Sequence, residues 1–97
     1  MAHVAYDPAL TERIDAYLDY LKTAWEGVPL DAEEWHMWDE HSRLVFDLDW
    51  GVPEDRLAEV TRLAEQGCLT TAQRERFDRV LILVETYRPL LTRMLAE

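Results

Sequence analysis

FDRVLILVETYRPLLTRML, residues 77–95, is the stretch that decides the fold class. Phe77, Val80, Val84, Tyr87, Leu91 and Met94 recur at alternating steps of three and four, the heptad-like seam of a helix packed along its length. Leu81, Leu83, Leu90 and Leu95 widen that seam to about half the circumference, the width of a central helix on which others pack. Pro89 lies inside the pattern and is expected to kink the helix or end it early. Thr70 and Gln73, three residues apart, form a capping box that starts it at residue 71.

The same period runs through the chain upstream. Asp7-Pro8 pairs an N-cap with a proline at the first helical position. Leu10, Ile14, Tyr17, Leu18, Leu21 and Trp25 then share one face, and Gly27-Val28-Pro29 signals a stop, so a helix is expected over 8–26. Asp31 with Glu34 is a capping-box-like start for a second helix over 32–48. Its polar face would carry Glu33, His36, Asp39, Glu40, Arg43 and Asp47, with Trp35, Met37, Trp38, Leu44, Val45, Phe46 and Leu48 filling the rest. Leu44, Phe46, Leu48 and Trp50 also alternate as a short strand would, but no second strand is evident to pair with it. Leu57, Val60, Leu63 and Ala64 mark a third helix over 54–66, stopped by Gly67. The expectation is one all-α domain over 1–97: a compact four-helix bundle built around a long, Pro-kinked last helix spanning 71–95.

Composition narrows the function classes. A chain of 97 residues makes one domain with a modest core, which association with a partner, or as a homodimer, would reinforce. The net charge is −10 and unevenly spread. Residues 1–50 hold 12 acids against Arg13, Lys22 and Arg43, whereas residues 51–97 hold 8 acids against 7 arginines. An acidic first half repels nucleic acid and anionic membrane and attracts a basic protein surface. Cys68 is the single cysteine, so no intrachain disulfide framework exists and a reducing cytoplasm is the simpler setting. No stretch reads as a signal peptide or a membrane span.

No motif names a reaction. Glu33 and His36, three apart, with Glu40 one turn on, match half of a di-iron carboxylate pattern. The other half is missing, so a metal site would need two copies of the chain, and neither a metal nor another cofactor is expected. His41 falls on the apolar side of the expected second helix and reads as a hydrogen-bonded core or interface histidine. His3 belongs to no pattern. Cys68 and Ser42 have no neighbouring sequence that would activate a nucleophile. Glu12, Asp15, Asp19 and Glu26 make an acidic stripe on the first helix, relieved only by Lys22.

All four tryptophans fall between residues 25 and 50, interleaved with eight carboxylates. Trp25, Trp35 and Trp38 have core-compatible spacing. Trp50, at a Gly-Pro break after Asp47 and Asp49, is the expected exposed anchor, in keeping with the preference of interface hot spots for tryptophan. The expected partner-binding set is Trp35, Trp38, Asp39, Glu40, Asp47, Asp49 and Trp50.

The run Leu69-Thr70-Thr71-Ala72-Gln73-Arg74-Glu75-Arg76-Phe77, with Leu81, Leu83-Val84-Glu85 and Arg88-Pro89-Leu90-Leu91, resembles a pattern in small helical bacterial proteins common in cyanobacteria. Glu34-Trp35-His36-Met37-Trp38 and the acidic segment before the third helix share it, so the resemblance covers residues 31–95. Such proteins resemble the small partner of two-gene modules, sometimes beside a nuclease or toxin. The resemblance implies an antitoxin-like role and carries no catalytic residue. The expected function is therefore non-enzymatic: an acidic cytoplasmic module that binds a basic, nuclease-like protein. The alternatives are an oligomeric, ferritin-like metal protein using Glu33, His36 and Glu40, and a nucleic-acid mimic acting by charge.

Overall fold

A computed structural model describes residues 7–96; His3 lies outside them. The elements in chain order are α1 (Pro8–Glu34), a single 3-10 turn (Trp35–Met37), α2 (Glu40–Asp49), α3 (Gly51–Glu65) and α4 (Thr71–Ala96). Among the described residues there is no strand, so the all-α class holds and the extended alternative at 44–50 does not form.

Several helix ends follow from local chemistry. The Asp7 carboxylate accepts the backbone N–H groups of Ala9 and Leu10, capping α1. Gly67, at φ +76°, ends the α3 rod. The Cys68 N–H reaches the Leu63 carbonyl at 3.0 Å and the Gly67 N–H reaches that of Ala64 at 3.1 Å, a Schellman pair that needs a left-handed residue between its arms. At α4 the capping box closes both ways. The Gln73 N–H donates to Thr70 Oγ1 at 3.1 Å, and the Thr70 N–H donates to Gln73 Oε1 at 3.0 Å.

Other boundaries correct the sequence expectation. α1 does not stop at Gly27–Pro29 but runs to Glu34 with Pro29 inside it. An interior proline costs about 3 kcal/mol, whereas burying a large apolar side chain returns about 1.5–3 kcal/mol. Val28 is fully buried before Pro29, and Ala32 and Trp35 continue the same three-four seam beyond it. The large side chain gained beyond the proline is that of Trp35, with Ala32 partly buried beside it, and a burial of that size offsets most of the cost. Asp31 and Glu34 consequently sit in the last turns of α1 and open no second helix. The break comes instead at Trp38, whose backbone is extended (φ −79°, ψ 139°). Asp39 caps α2 by accepting the Ser42 N–H at 2.7 Å. Only Trp50 separates α2 from α3, and it keeps right-handed helical angles (φ −66°, ψ −16°). Pro53 lies in the first turn of α3, where a missing N–H is harmless.

The result is three helical rods (α1, α2 with α3, and α4) rather than a compact four-helix bundle. Gln73 near the start of α4 contacts Thr11 and Asp15 near the start of α1, while Leu90, Arg93 and Met94 line one cavity with Ala32 and Trp35. The two long helices therefore run parallel, with α4 numbers about sixty ahead. The middle rod returns antiparallel, bringing Trp50 to Trp25 and Arg56 to Tyr17. At the centre stands α1, not α4 as the width of its seam suggested. α1 packs on α3, α4 and the 3-10 turn, and Ile14, Leu18, Leu21, Trp25 and Val28 are all buried. The molecule is elongated, 55 × 22 × 17 Å. Pro89 does not end α4, which continues to Ala96. The offset of about sixty puts Pro29 and Pro89 at corresponding positions of the two rods, and beyond them Trp35, Leu91 and Met94 are buried.

Candidate protein-binding face

A ladder of aromatic rings fastens α2 to the end of α1. Trp35 meets Trp38 and Phe46, each with centroids 5.3 Å apart, and Phe46 stacks on Trp50 at 5.5 Å. Trp50 then meets Trp25 edge-on at 5.1 Å. Edge-on and offset contacts of this kind suit the quadrupoles of the rings. Arg43 adds a polar clasp: Nε and Nη2 donate to the Trp35 carbonyl at 3.1 and 2.7 Å, while the guanidinium lies over the Trp35 ring. That carbonyl stands at the end of α1, where helices leave acceptors with spare capacity, and it also accepts the Trp38 N–H at 3.2 Å. Arg43 thus faces the core side of α2 rather than a solvated polar face. Below it, Glu54 accepts from Trp50 Nε1 at 3.2 Å and from both Arg88 terminal nitrogens, at 2.8 and 3.1 Å. This network links the middle rod to α4 across α1.

These contacts turn the tryptophan reading around. Trp50, expected as an exposed anchor, is only 9% exposed, because Trp25, Phe46 and Glu54 enclose it. Trp35 is buried and Trp38 half-buried. What α2 shows to solvent is aliphatic. Leu44, Val45 and Leu48 are exposed, Leu48 at 72%, and Val52 continues them onto α3. His41, Val45, Leu48 and Val52 step four-three-four along one side of the rod, with Leu44 beside them. On the core side Arg43, Phe46, Trp50, Pro53, Leu57, Val60 and Ala64 make the inner seam. His41 is exposed on the outer stripe, which removes the core half of the core-or-interface expectation. It lines a shallow recess with Trp38, Ser42 and Val45. No side chain of α2 is fully buried.

Carboxylates frame this stripe. Glu40, Asp47 and Asp49 are exposed and have no ion-pair partner among the described residues. Asp39 is committed to its cap, and the Ser42 N–H holds its carboxyl below the usual range. Asp31, partly buried near the end of α1, is shifted the other way, by desolvation first and by Glu34 second. The acidic stripe of α1 is largely neutralised. Arg76 of α4 pairs with both Asp15 and Asp19, and Lys22 pairs with Glu26. Among the described residues, none of the acids that frame the α2 stripe is neutralised in this way.

The structure does not assemble the other candidates. Glu33 lies in α1, His36 in the 3-10 turn and Glu40 in α2 beyond the break. Among the described residues no group of three or more His, Cys, Asp or Glu side chains is placed to hold a metal ion. Cys68 is half-buried in the turn after α3. Among the described residues no helix is long and apolar enough to cross a membrane. Comparison of the chain with protein-family models, curated proteins and solved structures finds no match.

Proposed function

We propose that this protein is a non-enzymatic, cytoplasmic binding module whose docking face is the outer side of α2 and the start of α3. One observation carries the reading. α2 places Leu44, Val45 and Leu48 in solvent while contributing no fully buried side chain to the core. A contiguous exposed aliphatic stripe is a feature of interaction surfaces. The surrounding Glu40, Asp47 and Asp49 set the chemistry of the partner: apolar at its centre and basic at its rim. A nuclease-like protein with a cationic active face is a partner of that kind, and covering it would give an antitoxin-like inhibition.

Purification of the tagged protein from its native cells at moderate salt, with mass spectrometry and elemental analysis of what accompanies it, tests this. A stoichiometric basic protein that is lost on Leu48→Lys supports the proposal. A protein that leaves the column alone with stoichiometric iron, manganese or zinc overturns it.

A further inference from the structure

The molecule carries a second unfilled feature, a groove of about 640 Å3 between α1 and α4. Its apolar walls are Leu18, Val80, Ile82 and Leu83, and Ile82 is 61% exposed. Its rim holds Asp19, Lys22, Glu26, Arg76 and Arg79. Asp19 is already paired by Arg76, and Glu26 by Lys22. Arg79 has no ion pair among the described residues and is the one unpaired charged group of the rim, Arg76 being shared between Asp15 and Asp19.

The outer face of α2 is the complement of this groove. It is a helical ridge of aliphatic side chains whose flanking Glu40, Asp47 and Asp49 are uncommitted and negative. The lengths also agree. Leu44 to Val52 and Leu18 to Glu26 each span eight helical steps, about 12 Å. Ridge and groove hold most of the large exposed apolar side chains of the middle rod and of the lower part of α4, and one contact would cover both.

We infer that α2 of one copy packs into the α1/α4 groove of a second copy, the acids of α2 meeting Arg79. The inference rests on α2 being a docking face and names a second copy of the chain as one occupant of it. The contact is heterologous, since ridge and groove are different surfaces. A helix contact of about 12 Å is at the small, weak end of interface sizes, so association is expected at about 0.1–1 mM, where a basic-rimmed partner would displace it.

Sedimentation equilibrium of the full chain tests this, with circular dichroism to check folding. The wild type should rise from 11.4 kDa with concentration. Leu48→Lys and Ile82→Glu should each remain monomeric alone. Mixed in equal amounts they should form one-to-one dimers, because each supplies the surface the other lacks. A wild type still monomeric at about 1 mM overturns the inference, as does a mixture that stays monomeric. Association abolished by Ile82→Glu but untouched by Leu48→Lys would also overturn it, and would remove α2 from the contact. A monomeric wild type that still co-purifies with a partner through position 48 would leave the docking role of α2 standing without self-association.

Discussion

The indole of Trp50 meets that of Trp25 edge-on, with ring centroids 5.1 Å apart and planes at 83°. That pair joins the middle rod to the central helix and decides which side of α2 is left outside. Trp50→Ala should therefore act on the fold. Removing a buried tryptophan costs about 3–5 kcal/mol, a large part of the stability of a domain this small. Denaturant unfolding should show that loss, and Trp50→Phe should lose less. A Trp50→Ala variant as stable as wild type would mean that the indole is a surface group.

Leu48→Lys should do the opposite. The side chain is 72% exposed, and surface substitutions away from special features usually change stability by about 0.5 kcal/mol or less. Thermal melts of the variant and wild type should overlay closely. Binding to a basic-rimmed partner should fall, through loss of an apolar contact and through like-charge repulsion.

Gln73 is the buried polar link between α1 and α4. Its Oε1 completes the cap at Thr70, while Nε2 donates to the Thr11 carbonyl at 3.1 Å and to Asp15 at 3.0 Å. Gln73→Ala leaves the Thr11 carbonyl and Asp15 short of a donor and the Thr70 N–H short of an acceptor, at a cost of about 1–3 kcal/mol. Gln73→Glu keeps an acceptor for the cap but sets a carboxylate against Asp15, so it should destabilise at neutral pH and recover on acidification. Urea melts at two pH values separate the variants.

Asp39 and Asp31 should respond to pH with opposite signs. The folded state lowers the pKa of Asp39 from its ordinary value near 3.8. Its contribution is therefore full above that value and is lost as pH falls through the lower folded one. Asp31 is raised from the same value. Its charge penalises the folded state at neutral pH, and the penalty fades as pH drops through the raised value. Asp39→Ala should be less stable than wild type at pH 7, and Asp31→Asn more stable. On strong acidification the Asp31 difference should shrink toward zero and the Asp39 difference should shrink to what a neutral cap contributes, as equilibrium unfolding across the acid range would record.

Much of this was legible in the chain. The Asp7 cap, the Gly67 stop, the Thr70–Gln73 box and the seam of α4 are local signals, and each forms as its residues dictate. The structure departs from the local signals where tertiary burial outweighs them. Gly27 and Pro29 read as a terminus, but Ala32 and Trp35 stay in phase with Val28, and that continuity was the stronger signal. Trp50 beside Gly51 and Pro53 read as a surface break. Extending the α3 seam of Leu57, Val60 and Ala64 backward by threes and fours puts Pro53, Trp50, Phe46 and Arg43 inside. The same count puts Val45, Leu48 and Val52 outside. A single helix over 32–48 would straddle the break at Trp38 and mix two faces. Arg43 falls on the wrong face for the same reason, since its role at the Trp35 carbonyl depends on the chain turning back on itself.

Site-specific photocrosslinking in native cells tests the docking role of α2 most directly. A photoreactive residue at Val45, on the outer stripe, should give a discrete adduct with a basic protein. The same residue at Ala16, exposed on α1, should give none. Adducts alike from both positions, or a basic partner crosslinked only from Ala16, would contradict the assignment of α2 as the docking face.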